Sequence, residues 1–148
     1  MKRISIFTDG SCSPNPGAGG WGALLYLDGD RPVELSGAEA DTTNNRMELT
    51  AVVRSLEQVP PETPVRIVTD SQYLSKAFTH HWLKNWVRNG WRTAAKKPVK
   101  NHDLWKKLLE LTRDRDCEWV WVRGHNDHPE NERCDQLANN AREKLGER

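Results

Sequence analysis

Short β-branched-rich runs and a three-to-four-residue apolar spacing alternate along this chain, and each predicts a different kind of element. Ile4 to Thr8 predicts strand one. Gly10 to Gly20 has no period and reads as a Gly/Pro/Ser/Asn loop. Trp21 to Leu27 predicts strand two, Asp28-Gly29 is a strong hairpin signal, and Val33 to Gly37 predicts strand three. Connections this tight make the three an antiparallel meander. The period then changes. Leu49, Val52, Val53 and Leu56 lie at i, i+3, i+4 and i+7, one face of a helix, with cap candidates in Thr42-Thr43-Asn44-Asn45 and a stop at Pro60-Pro61. Val65 to Thr69 predicts strand four, which after a helix can lie parallel to strand one through a right-handed crossover. Helical pieces follow at about 71–78 and 82–88, the second broken by Asn89-Gly90. Leu104, Leu108 and Leu111 mark another helix, capped by Asn101 or Asp103. Glu118 to Val122 alternates as strand five, and Cys134, Ala138, Ala141 and Leu145 stripe a last helix. The expectation is an α/β fold, a mixed five-stranded sheet with helices packed on it.

Two of these strands end on nearly the same phrase. Strand one runs into Thr8-Asp9-Gly10-Ser11 and strand four into Thr69-Asp70-Ser71. Carboxyl ends of strands are where α/β sheets place their ligand sites. Two carboxylates on neighbouring strands repel unless a cation or a shared proton neutralises them. The repeated phrase therefore points to a metal site.

Length and composition limit what such a site serves. At 148 residues the chain is one domain, expected to span 1–148. The longest charge-free stretch, Gly10 to Leu27, is interrupted by Pro14, Pro16 and several glycines and cannot cross a bilayer. Lys2, Arg3 and Asp9 leave no room for an apolar signal core, so the expectation is a cytoplasmic protein with no membrane partner. Three cysteines, Cys12, Cys117 and Cys134, fit a reducing compartment, and Cys134 with His125 and His128 matches no zinc spacing. The net charge is only +1, but it is uneven: His80 to Lys107 holds eight basic residues and one acid, Asp103. A basic arm on a mildly acidic body suggests a polyanionic partner.

Two more acids are candidates for the same site. Glu48 falls in the first turn of the helix before strand four, and Asp135 begins the last helix. Each has a bland explanation: Asn45-x-x-Glu48 fits a capping box, acids in a first turn suit the helix dipole, and Asp9 and Asp70 are turn formers. Together, two strand-end and two helix-start acids converging on one sheet edge are harder to explain that way. Four carboxylates suit hard divalent cations. Two such ions about 3.5–4 Å apart can stabilise the entering and leaving oxygens of a phosphoryl displacement, a reaction that needs no nucleophilic side chain.

The phrases around these acids, Thr8-Asp9-Gly10-Ser11-Cys12, Thr42 through Leu49, Thr69-Asp70-Ser71-Gln72-Tyr73, and Gly124-His125 through Cys134-Asp135-Gln136-Leu137-Ala138, closely resemble bacterial type 1 ribonuclease H. The resemblance runs from about Ile4 to Ala141. It implies a ribonuclease H-like fold, with strand order 3-2-1-4-5 and helices on both faces. It also implies an endonuclease that cuts the RNA strand of RNA–DNA hybrids, leaving 5′-phosphate and 3′-hydroxyl ends. By that resemblance the catalytic and metal-binding acids are Asp9, Glu48, Asp70 and Asp135. They hold two Mg²⁺ ions, for which Mn²⁺ can substitute, and His125 assists proton movement or product release. Rival readings are a non-catalytic hybrid-binding module and another nuclease of the same fold. The first is disfavoured because binding alone gains nothing from negative charge facing phosphates, the second by the Thr43-Asn44-Asn45-Arg46-Met47-Glu48 phrase and the Trp/Lys handle.

The resemblance also assigns the substrate contacts. Cys12, Asn15, Asn44, Asn45 and Gln72 lie along the minor groove that displays the RNA 2′-hydroxyl. Thr43 matches a pocket for a DNA-strand phosphate. The basic segment matches a protruding handle at about 80–100, where Trp82, Trp86 and Trp91 stand among Lys84, Arg88, Arg92, Lys96, Lys97 and Lys100. Packing that secures the protrusion is the expected role of at least two of the three tryptophans, and phosphate contact that of the cations. No separate N-terminal hybrid-binding module is expected ahead of strand one, and a monomer is the default.

Overall fold

A computed structural model of the chain describes residues 3–93, 95–123 and 128–146. The elements are β1 (Ile4–Cys12), β2 (Gly17–Tyr26), β3 (Val33–Thr42), α1 (Asn44–Glu57), β4 (Val65–Thr69), α2 (Gln72–Thr79), α3 (Trp82–Arg88), α4 (His102–Thr112), β5 (Cys117–Trp121) and α5 (Pro129–Gly146). One sheet runs β3-β2-β1-β4-β5. The meander β1–β2–β3 is antiparallel, and β4 lies parallel to both β1 and β5. The mixed sheet and its implied order are therefore both present. No helix among the described residues is long and apolar enough to cross a membrane.

The stretch from Gly10 to Gly20 is not the loop that its composition predicts. β1 continues to Cys12 and β2 starts at Gly17, so only the intervening Ser/Pro/Asn residues turn. The glycines are strand residues at points of close approach. A side chain at Gly10 would run into the α1 backbone at Met47 and Glu48. One at Gly20 or Gly22 would run into the α5 backbone at Ala138 or Cys134. Gly10 pairs with Trp21, which stands between those two glycines. Successive strand residues face opposite sides, so α1 and α5 cover opposite faces of the sheet. Replacing Gly20 by Ala forces α5 away from β2 and is expected to cost about 1–3 kcal/mol. A denaturant midpoint equal to that of the wild type would refute this close packing.

The α1 face holds the main core. Ile6, Val65 and Ile67 from the sheet meet Leu49, Val52, Val53 and Leu56, the stripe expected from periodicity, and all seven are fully buried. Trp105 on α4 is also fully buried and fastens the basic segment to this core. Its ring lies 5.6 Å from Trp86, which lies 5.9 Å from Trp82 and 6.2 Å from Trp91. Its indole N–H donates to the Tyr73 hydroxyl at 2.8 Å. The segment thus rests on a chain of aromatic rings.

Candidate active site

Parallel pairing sets the first two acids side by side. β1 and β4 are in register at Ile6↔Ile67 and Phe7↔Val68. The same offset carried two residues further puts Asp9 beside Asp70; β4 ends just before Asp70, whereas Asp9 is an interior residue of β1 and not the strand end that the sequence suggested. Glu48 arrives from α1, whose backbone at Met47 and Glu48 sits directly on Gly10, where no Cβ stands in the way. Each of the three residues offers a carboxylate oxygen, and these three oxygens lie within 4.8 Å of one another.

Their titration shows the cost of that crowding. Burial pushes the Asp9 carboxyl up to about 8; the charge of Asp70 adds to this, and so do those of Asp135 and Glu48. The Gly10 N–H, which donates to Asp9 Oδ1 at 2.9 Å, pulls the other way. Burial likewise pushes Glu48 up to about 7, with Asp70 contributing, against hydrogen bonds from Ser71 and Asn44. Protons relieve part of the repulsion, and a hard divalent cation would relieve it more completely. An all-oxygen donor set packed this closely fits such an ion.

The bland explanations for the helix acids fail in the structure. α1 is capped by Thr43, whose hydroxyl accepts the Arg46 N–H at 3.1 Å. No acid occupies the first turn of α1. Glu48 is the fifth residue of the helix, held by Asn44 Nδ2 at 3.4 Å, and the Asn45–Glu48 capping box does not form. Asp135 does not begin the last helix, as its sequence suggested. α5 starts at Pro129, with Glu130 and Glu132 in its first turn, so Asp135 lies one turn deeper and owes nothing to capping. Among the described residues it stands outside the close carboxylate group, near enough to raise the pKa of Asp9.

Ser71 is a site residue that sequence reading missed. Its hydroxyl caps α2, accepting the Leu74 N–H at 3.1 Å, and its own proton is free to bond Glu48. A serine directly after a strand-end Asp and before a helix was the available signal. His125, by contrast, lies outside the described residues.

The expected substrate contacts fall into two groups. Thr43, Asn44, Asn45 and Asn15 gather at the start of α1, where Asn15 Oδ1 accepts the Asn44 N–H at 3.2 Å. Cys12 is half-buried, with Sγ 3.2 Å from the Pro14 carbonyl and 3.5 Å from that of Thr42. Gln72 is the exposed first residue of α2. In the basic segment Lys84, Arg88, Arg92, Lys96, Lys97 and Lys100 are exposed, whereas Trp82, Trp86 and Trp91 pack against the core. Asn101 holds the cap position of α4 without capping it, because its side chain is used elsewhere. Its amide accepts from Arg46 at 3.3 Å and donates to Tyr73 at 3.3 Å. Arg46 also forks onto both oxygens of Asp103, at 3.1 and 2.9 Å. This network ties the basic segment to the helix that carries Glu48.

Known proteins are similar to this chain in sequence and fold. The family profile described as RNase H matches residues 1–143. The ribonuclease H of Hydrogenovibrio crunogenus is 53% identical over 145 residues, covering 98% of this chain and 99% of its own length. That of a Chelativorans species is 57% identical over 138 residues, covering 93% of this chain and 84% of its own length. Among solved structures, LC9-RNase H1, described as a type 1 RNase H with the type 2 active-site motif, aligns with a TM-score of 0.80 at 28% identity. The alignment covers 97% of this chain and 74% of that one. LC11-RNase H1 in complex with RNA/DNA hybrid aligns at 0.73 and 23% identity, over 97% and 99%, a likeness of fold.

Proposed function

From the premise that this chain belongs to the ribonuclease H family and is an endoribonuclease, we propose that it hydrolyses the RNA strand of RNA–DNA hybrids with little regard to base sequence, using two divalent cations and leaving 5′-phosphate and 3′-hydroxyl ends. The observation that carries this reading is the group of three carboxylates at the sheet edge, with oxygens within 4.8 Å of one another. Negative charge held there, facing a polyanion, is costly without a cation and useful with one. A neighbour of the same fold, LC11-RNase H1, has been solved with RNA/DNA hybrid, which gives that ligand a precedent on this scaffold.

Asp9, Glu48 and Asp70 would hold one ion, and Asp9 with Asp135 a second; Mg²⁺ is the first choice and Mn²⁺ a substitute. Bound there, such ions supply charge neutralisation at the scissile phosphate and lower the pKa of attacking water. The chain's own residues position and select. Ser71 and Asn44 orient Glu48, and the Gly10 N–H orients Asp9. Cys12, Asn15, Asn44, Asn45 and Gln72 are the groups proposed to sense the 2′-hydroxyl, the feature by which RNA differs from DNA. His125 is proposed to assist proton movement or product release. The reading includes a cytoplasmic monomer.

Thr43 and the exposed cations of the basic segment are proposed to take phosphates of the DNA strand. Phosphate contacts raise affinity without reading sequence. Replacing Lys96, Lys97 and Lys100 with Ala should weaken hybrid binding and flatten its log–log salt dependence by about 0.7–0.9 per lost contact. A slope unchanged from wild type would remove this segment from the binding surface.

The function itself is tested by labelling each strand of a hybrid in turn and incubating it with protein in Mg²⁺ or EDTA. Cleavage confined to the RNA strand and to the metal-containing reaction is expected. Cutting of duplex DNA, or binding without cutting, contradicts the proposal.

A further inference from the structure

Beside the carboxylates, at the outer edge of the sheet, lies an open cleft of about 330 Å³ that runs from Asp70 past Gln72 and Ser75 to Trp121 and Arg123. β5 is in parallel register with β4 through Thr69↔Trp121. The Val122 N–H continues that register by donating to the Thr69 carbonyl at 3.0 Å. Val122 therefore stands next to Asp70, and Arg123 next to Ser71. The chain leaves the sheet at Arg123, on the same carboxyl edge that presents the acids.

Arg123 differs from the other arginine near the acids. Arg46 is occupied by Asp103, Asn101 and Glu39. Arg123 is exposed, and among the described residues no hydrogen bond or ion pair engages it. Trp121, which lines the cleft, belongs to an aromatic cluster. Trp121 stacks on Trp119 with centroids 5.5 Å apart and planes at 13°, and Phe78 closes on Trp119 at 4.6 Å. The cleft is thus lined by Gln72 and Ser75 from α2, by Trp121 from β5, and by the Arg123 cation.

We infer that this cleft is a subsite for the strand being cut, with Arg123 binding a phosphate next to the scissile one. The inference rests on the hybrid-cleaving function proposed above. The scissile phosphate must sit over Asp9, Glu48 and Asp70, so the same strand has to leave that point along the surface. The cleft begins at Asp70 and holds Gln72, already assigned to that strand, so it is a continuous path. A guanidinium matches a phosphate in shape and charge and can fork onto two of its oxygens. The basic segment is proposed above to take phosphates of the partner strand, so Arg123 would be a separate cation for the RNA strand.

The test compares wild type with Arg123→Ala and Arg123→Lys, using hybrid binding in EDTA across a salt series and steady-state cleavage in Mg²⁺. Arg123→Ala should raise KM about three- to tenfold with kcat within about twofold. It should also reduce the salt slope by about 0.7–0.9. Arg123→Lys should restore the slope and leave part of the KM defect, because a point charge replaces a fork. Thermal midpoints equal to wild type exclude a folding effect. On a hybrid whose DNA strand carries neutral methylphosphonate linkages, the loss caused by Arg123→Ala should persist. Its disappearance there would assign Arg123 to the DNA strand and overturn the inference. So would an Arg123→Ala protein indistinguishable from wild type, or a defect confined to kcat. Wild-type protein that fails to cut the RNA strand would instead overturn the function from which this subsite was inferred.

Discussion

Asp9→Asn is expected to lower hybrid cleavage by on the order of a thousandfold or more while hybrid binding is kept or slightly strengthened. Asp9 is 9% exposed, sits between Asp70 and Glu48, and feels Asp135 as well. An amide in its place retains the shape and the contact with Gly10 but removes the charge that a cation needs. Losing several kcal/mol of charge stabilisation at the scissile phosphate corresponds to a rate loss of that order. Binding moves the other way because a negative group facing phosphates has been removed. Single-turnover rates and equilibrium binding on one hybrid separate the two effects. Turnover within tenfold of wild type would mean that the cation is held without Asp9.

The second large effect is on stability, and its sign follows from the burial of the same acids, with their crowding adding to it. The folded-state pKa of Asp9 is about 8 against an ordinary 3.8, and that of Glu48 about 7 against 4.5. The folded state therefore holds protons that the unfolded chain has released over the range between those values. The stabilisation from that uptake is complete below about pH 4 and is lost as the pH rises through 7 to 8. In EDTA the denaturant midpoint should fall steadily from about pH 5 to pH 8. A divalent cation takes the place of the protons, so it should restore stability at pH 8 by roughly 2–3 kcal/mol at a hundredfold excess over its Kd. Asp9→Asn should be more stable than wild type in EDTA at pH 8 and should lose most of both responses. A midpoint that is flat or rises with pH in EDTA would show that burial and crowding do not raise these carboxyl pKa values in the folded chain.

These two expectations, loss of function and gain of stability from one substitution, arise from one geometric fact that neither the spacing nor the composition of the chain contains. The identity of the acids was visible in the repeated Thr-Asp phrase, and the resemblance carried by the surrounding words named all four. What remained undetermined was why Glu48 and Asp135 are where they are. As sequence, both looked like ordinary residues of a helix start. Thr43 in fact caps α1, and Pro129 starts α5 well before Asp135, so neither acid serves its helix. A cap is fixed by which backbone N–H groups lack partners, and that depends on where the helix begins, which hydrophobic period locates only to within a turn.

Local pattern determined the elements whose signal is local. The stripe Leu49, Val52, Val53 and Leu56 is buried as its period required, and β4 and α3 fall at the expected residues. The strand runs and the hairpin at Asp28-Gly29 yielded the meander. Strand order came through resemblance, because pairing between distant runs leaves no trace in the period of either. Only the tertiary structure turned Gly10 and Gly20 from loop residues into strand residues. Their lack of a side chain is invisible to a hydrophobicity pattern, yet it lets two helices approach the sheet from opposite faces. The packing role expected of at least two of Trp82, Trp86 and Trp91 is met by all three, which support the basic run from beneath. Sequence determined which groups are present and which faces are apolar, since those are properties of single residues and their spacing. Tertiary structure alone decided how close the carboxylates come, because that distance is set by parallel register, by a missing Cβ at Gly10 and by the burial of the surrounding core.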